Sequence, residues 1–287
     1  MTHMTNIQLI GVIGSGTMGN GIAQTFAQRG FDVRLVDVSA PALDKAKATI
    51  SKSLGKFVEK GTLSAEDRDA TLGRLAFFGS IDHLADADYV VEAIVEQRDA
   101  KRELFAKLDA LVREDVVLAT NTSSISITEI AAATRRPEQV LGMHFMNPVP
   151  LMQLVELIRG QATSDASMAL AEELCRRLGK TGIPASDYPG FIANRILMPM
   201  INEAVFALME GVGTAEAIDS VMKLGMNHPM GPLTLADFIG LDVCVAILDV
   251  LHQGLGDPKY RVCPLLRRMV AAGHLGRKTG RGFYHYA

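Results

Sequence analysis

Six residues near the start of the chain, Gly14-Ser15-Gly16-Thr17-Met18-Gly19, limit the possible folds more than any other feature. They stand between an apolar run at 7–13 and a helical pattern at 17–29. The glycines follow the spacing G-x-G-x-x-G. In that spacing the first glycine permits a tight turn, the second lets backbone approach a pyrophosphate, and the third lets the helix pack closely on the strand. Unpaired N–H groups at the helix start, aided by the helix dipole, then face an anion. The next apolar run, 33–36, ends in Asp37, which is 23 positions after Gly14 and close to the ~20 of the dinucleotide fingerprint. A carboxylate at that place accepts hydrogen bonds from ribose hydroxyls and repels a 2′-phosphate. Val38, not a cation, comes next. These six residues and Asp37 therefore predict a dinucleotide site that favours NAD over NADP. A flavin is the competing occupant of the same fold.

The rest of the first half keeps the alternation going. Further strand-like runs lie at 89–93, 116–120, 140–145, 154–158 and 182–185. Helical patterns fill 40–60, 98–112 and 165–178. Alternation of this kind predicts an α/β fold, a Rossmann-type doubly wound, mainly parallel sheet with helices on both faces. After Tyr188-Pro189-Gly190 the character changes, and apolar helical segments at 191–209, 214–224 and 233–251 dominate. Pro-Gly is strong punctuation. We expect an NAD-binding domain over 1–188 and an all-α C-terminal domain over 189–287 that serves substrate binding and dimerisation. Its helices carry more apolar surface than about 100 residues bury alone, which points to a homodimer through this domain.

The chain has 287 residues, 48% of them hydrophobic and 21% charged, an ordinary globular balance. Its net charge of −3 argues against a general nucleic-acid or anionic-membrane surface. No uncharged apolar stretch reaches the ~20 residues of a membrane span, and positions 1–8 lack the pattern of a secretory leader. A cytoplasmic protein is expected. Cys175, Cys244 and Cys263 are too scattered for a disulfide framework or metal cluster and read as reduced thiols.

Alcohol oxidation with a nicotinamide needs a base for the hydroxyl proton and donors for the developing oxyanion. His144 closes one apolar run and Glu156 sits inside the next. A carboxylate in an apolar strand is expensive to bury unless paired. If the two strands are neighbours, Glu156 orients the imidazole and steadies its charged form. On these residues alone, His144 reads at least as readily as a core histidine, and Glu156 as an exposed edge-strand residue. Ser123 follows the run 116–120, where ligands collect in open parallel sheets, and reads either as a donor or as a turn residue. Ser126 begins the capping box Ser126-Ile127-Thr128-Glu129. Asn194 and Arg195 read by default as the solvent face of an amphipathic helix.

Taken together, these residues resemble the L-3-hydroxyacyl-CoA dehydrogenases, and within them the short-chain bacterial 3-hydroxybutyryl-CoA type. The likeness runs from Ile7 to Tyr286. It is carried by the glycine loop and by Val91-Glu92-Ala93-Ile94-Val95-Glu96, Asn121-Thr122-Ser123-Ser124, His144-Phe145-Met146-Asn147-Pro148, Pro189-Gly190-Phe191-Ile192-Ala193-Asn194-Arg195, Met230-Gly231-Pro232, Gly240-Leu241-Asp242 and Gly276-Arg277-Lys278-Thr279-Gly280-Arg281-Gly282-Phe283-Tyr284. The resemblance implies interconversion of a 3-hydroxyacyl-CoA and a 3-ketoacyl-CoA with NAD. It makes His144 the acid/base, Glu156 its partner, and Ser123 and Asn194 the holders of substrate oxygens. Asp37 falls on the adenosine ribose, and Glu96, Lys101, Ser123, Asn147 and Lys278 on NAD. Ser53, Lys56 and Lys60 fall on the CoA nucleotide, where a solvated surface is an equally good reading of the two lysines. A related dehydrogenase of free β-hydroxyacids is the rival, but that family carries a lysine where this chain has Asn194-Arg195. A silent, crystallin-like nucleotide binder is the other rival, and the intact set Ser123, His144, Glu156 and Asn194 argues against it.

Overall fold

The computed structural model describes residues 7–286. Most of the 1–8 stretch, from which no leader is expected, lies outside them. The chain forms two compact units, Met1–Asp187 and Tyr188–Ala287.

The first unit holds one eight-stranded sheet in the order β3-β2-β1-β4-β5-β6-β7-β8. The strands are β1 Leu9–Ile13, β2 Asp32–Val36, β3 Leu75–Phe78, β4 Tyr89–Glu92, β5 Val117–Thr120, β6 Val140–Phe145, β7 Leu154–Arg159 and β8 Thr181–Ser186. Strands β1 to β6 run parallel. Helix α1, Thr17–Gln28, shows how the sequence builds a layer. It buries Gly19, Ile22, Ala23, Phe26 and Ala27, a spacing that gives one apolar stripe toward the sheet. Helices α2 Ala40–Glu59, α4 Arg98–Leu111 and α6 Asp165–Arg177 make the other long crossovers. The sequence pattern does not show β3 or the preceding α3, Ala65–Gly73, as separate elements.

One strand departs from the parallel rule, and chain length explains it. Only residues 146–153 join β6 to β7. A parallel return needs a crossover of a dozen or more residues. Strand β7 therefore pairs antiparallel with β6, in a register that sets His144 opposite Glu156. Helix α6 then carries the chain back so that β8 lies parallel to β7. Strand β7 is thus internal to the sheet rather than its edge.

The second unit is helical: α7 Ala193–Met209, α8 Ala215–Gly225, α9 Pro232–Ile239, α10 Leu241–Leu255 and α11 Pro264–Ala271. The pattern over 233–251 suggests one helix, but the chain breaks it at Gly240. Its φ of +105° suits glycine; its amide closes α9 on the Ala236 carbonyl, and its own carbonyl opens α10 on the Cys244 amide. Met198, Ile201, Val205, Leu233, Leu248 and Leu266 are among the core residues. Two buried carboxylates fasten the C-terminal tail. Asp219 accepts from the Leu233 and Thr234 amides and the Tyr284 hydroxyl, and Asp237 from the Phe283 and Tyr284 amides and the Tyr286 hydroxyl. Among the described residues, no helix is long and apolar enough to cross a membrane.

Candidate active site

The strand order reverses between β1 and β4, and the glycine loop lies at that switch point. Gly14 has φ +94°, and a Cβ there would stand 2.4 Å from the Ala93 carbonyl oxygen. A Cβ on Gly19 would stand 1.7 Å from the Gly14 carbonyl oxygen. Both glycines are therefore required by packing. Gly16 is different: a Cβ there meets nothing within 4 Å, and no side chain caps the helix that begins beyond it. Its bare face opens on a cavity of about 680 Å³ lined also by Gly14, Thr17, Met18, Asp37 and Ile94.

Asp37 ends β2 beside this cavity. Its Oδ2 accepts from the Ser15 amide and hydroxyl at 2.8 Å each, and Oδ1 from the Ser39 amide at 2.9 Å. Partial burial works against its ionisation, and these donors overcome that, so its carboxyl is held below the usual carboxylate range. Ser15 is thus tied to Asp37, one strand end bound to the next.

At the ends of β4 and β5, Glu96, Lys101 and Ser123 are joined in a network around Glu92, a residue to which the sequence reading gives no role. Glu92 is fully buried and Lys101 is 1% exposed. The Lys101 ammonium donates to Glu92 Oε1 at 2.6 Å and stands 3.3 Å from Glu96 Oε2. Glu96 Oε1 gathers the Thr122 hydroxyl at 2.6 Å and the Ser123 amide at 2.8 Å. Lys101 is therefore an internal cation rather than an open surface one. The signal Glu92 offers is a carboxylate at the close of an apolar strand, weaker than the carboxylate inside a strand that singles out Glu156.

His144 and Glu156 are buried neighbours, 7% and 2% exposed, with imidazole Nδ1 2.7 Å from Glu156 Oε2. Opposite residues of an antiparallel pair project on the same face within side-chain reach, which is why this register joins them. The Asn121 side chain accepts from the Phe145 amide at 2.9 Å and binds the end of β5 to the end of β6. Ser126 caps the short helix α5, Ile127–Ala131, accepting from the Glu129 amide at 3.3 Å. Asp187 also holds that helix start, through Ser126, Ile127 and Thr128.

The remaining residues lie in several places. Asn147 is exposed just after β6. Ser53 is half-buried on α2, with Lys56 exposed in its last turn and Lys60 exposed at its C-terminal cap. Asn194 and Lys278 belong to the second unit. Asn194 is buried, not on a solvent face. The Lys278 ammonium lies 2.6 Å from the Asp242 carboxylate. Burial works against ionisation of Asp242, and Lys278 outweighs it, holding that carboxyl low. The three cysteines are free and buried, and burial pushes the Cys175 and Cys244 thiols up to about 12.

Residues 9–188 match the NAD binding domain of 3-hydroxyacyl-CoA dehydrogenase, and residues 190–286 match the C-terminal domain. The chain belongs to the 3-hydroxyacyl-CoA dehydrogenase family.

Its similarity to individual members of that family is high. It is 55% identical over 280 residues to a 3-hydroxybutyryl-CoA dehydrogenase of Bradyrhizobium diazoefficiens, covering 98% of this chain and 96% of that one. It is 51% identical over 277 residues to a 3-hydroxybutyryl-CoA dehydrogenase of Clostridioides difficile, covering 96% and 99%. The crystal structure of (S)-3-hydroxybutyryl-CoA dehydrogenase from Ralstonia eutropha superposes with a TM-score of 0.96 at 51% identity, covering 98% of this chain and 100% of that one. As in other 3-hydroxyacyl-CoA dehydrogenases, the first unit is the NAD-binding one, and the residues present fit that cofactor. The open face of Gly16, the uncapped start of α1 and the ionised Asp37 on one cavity are what a dinucleotide requires.

Proposed function

We propose that this protein interconverts a short-chain L-3-hydroxyacyl-CoA, 3-hydroxybutyryl-CoA first among them, and the corresponding 3-ketoacyl-CoA. The observation that carries the chemistry is the buried His144–Glu156 pair. With Nδ1 committed to Glu156, the proton exchanged with substrate is carried on Nε2. In oxidation His144 removes the proton of the 3-hydroxyl, and Glu156 stabilises the imidazolium that forms. In reduction the imidazolium returns that proton to the 3-keto oxygen. The cofactor, when bound, would supply the hydride acceptor as NAD in oxidation and the hydride donor as NADH in reduction, at the carbon bearing the oxygen.

Other side chains bind and orient. Ser123 and Asn194 hold substrate oxygens by donating hydrogen bonds to them. Gly14 to Gly19 hold the pyrophosphate with backbone N–H groups, and Asp37 accepts from the adenosine ribose. Glu96, Asn147 and Lys278 are assigned to NAD directly, and buried Lys101 through Glu96. Ser53, Lys56 and Lys60 are assigned to the CoA nucleotide, with the two lysines on one side of the end of α2 as cations for phosphate. The 3-hydroxybutyryl-CoA relatives support the substrate class. We also assign the protein to the cytoplasm, as a homodimer through the second unit, where Val221, Leu224 and Met226 are exposed.

The test is NADH oxidation with acetoacetyl-CoA, with free acetoacetate and with neither, and NADPH in parallel. Turnover is expected with acetoacetyl-CoA and NADH. Equal turnover on the free acid would remove the CoA assignment.

A further inference from the structure

We infer that Glu92 is a positioning residue for the Ser123 loop. Three connections run from it to residues 120–124. The first is electrostatic: Glu92 Oε1 fixes the Lys101 ammonium at 2.6 Å, Lys101 stands 3.3 Å from Glu96 Oε2, and Glu96 Oε1 accepts from the Ser123 amide at 2.8 Å. The second runs through Thr120, whose hydroxyl donates to Glu92 Oε2 at 2.6 Å and accepts from the Thr122 amide at 3.2 Å. The third is backbone: the Glu92 carbonyl accepts from the Asn121 amide at 2.8 Å. The side-chain routes use both carboxylate oxygens, and both end on the loop that carries Ser123.

Burial gives this arrangement its rigidity. Glu92 is 0% exposed and Lys101 1%, so neither charge is screened by water. A buried ion pair is seldom a gain in stability over an apolar pair of the same shape. Its attested use is to fix one arrangement among several. Here the arrangement fixed is the carboxyl end of β5. Glu96 would otherwise be a half-exposed carboxylate on a loop, free to turn to solvent. Lys101 holds its second oxygen, so the first points at the Thr122, Ser123 and Ser124 donors. Ser123 is thus held in place by a chain of contacts that begins at Glu92. Its role toward substrate rests on the proposed function, whereas the coupling from Glu92 to the loop does not.

The experiment compares Glu92→Gln, Glu92→Gln/Lys101→Met and the parent. Amide hydrogen exchange at 122–124 is measured on nucleotide-free protein, alongside the melting temperature and kcat with acetoacetyl-CoA. Glu92→Gln is expected to speed exchange at 122–124 about tenfold or more and to lower kcat by roughly tenfold to a hundredfold. The double variant removes the buried ammonium that Glu92→Gln leaves with Glu96 as its one carboxylate. It is expected to recover the melting temperature while exchange at 122–124 stays fast, because Glu96 has lost its orienting cation. Parental exchange in Glu92→Gln overturns the inference, as does a double variant that recovers exchange along with melting temperature, which is what mere charge satisfaction predicts. If Glu92→Gln does not fold, Thr120→Val cuts one route and leaves the ion pair intact. Several-fold faster exchange there supports the inference and parental exchange overturns it. A parent protein inactive on acetoacetyl-CoA would sink the proposed function and leave the exchange comparison to decide this one.

Discussion

The glycine loop and the β6–β7 pair stand at the same end of one sheet but are made in opposite ways. The loop works through backbone. Gly14 and Gly19 are there because a side chain has no room, with would-be Cβ contacts of 2.4 and 1.7 Å to carbonyl oxygens. The β6–β7 pair works through side chains on strands that any apolar residue would build equally well. His144 and Glu156 add nothing to the sheet, and Glu156 at 2% exposure is a cost offset by its partner. A site made from backbone is recognised by side chains that are missing. A site made from side chains is recognised by polar groups where packing does not want them.

Substitutions should therefore separate the two ends. The largest effect is expected from His144→Gln. Turnover should fall by roughly 10²–10⁴ with the loss of acid–base help, while NADH affinity by fluorescence titration stays at the parental value. Near-parental turnover would remove His144 from the chemistry. Next comes Gly19→Ala, whose methyl cannot be placed without moving the β1–α1 turn. About 2 kcal/mol of stability is expected to go, lowering the melting temperature by roughly 4–8 °C and weakening NADH binding as well. A parental melt would mean that the close approach is not needed. Glu156→Gln should be milder than His144→Gln, lowering kcat roughly tenfold to a hundredfold because a neutral amide supports the imidazolium less well. NADH affinity is expected to be retained. If binding fell and turnover did not, Glu156 would belong to the fold alone.

How much of this was legible depends on what encoded it. Strand β1, the loop and Asp37 sit within one short window of chain, and local spacing suffices for them. The helical second unit is legible for the same reason. The break at Gly240 leaves no mark in the pattern, because apolar spacing continues on either side of it. Strand β3 is four half-buried residues at the sheet edge, with no alternation to mark it. The His144–Glu156 pairing depends on register, which no local pattern fixes. The eight residues between β6 and β7 nevertheless exclude a parallel return, and that clue was available. Glu92 carries a weaker signal than Glu156 because it stands at a strand end, where a polar residue looks ordinary. Asn194 resembled a solvent-facing helix residue, and only the folded chain shows that it is buried.

The smallest perturbation makes the comparison sharpest. Gly16 has φ −62°, a value open to any residue, and a methyl there meets nothing within 4 Å. Alanine should leave the melting temperature within a degree or two of the parent, since no contact is lost and the unfolded chain is slightly stiffened. Its effect should fall on the cofactor, because the methyl projects from the backbone that a pyrophosphate must approach. A roughly tenfold loss of NADH affinity, about 1.4 kcal/mol, without loss of stability is expected. Gly19→Ala couples the two quantities and Gly16→Ala should uncouple them. Unchanged NADH affinity in Gly16→Ala would mean that the cofactor does not lie on this loop, whatever the spacing of its glycines.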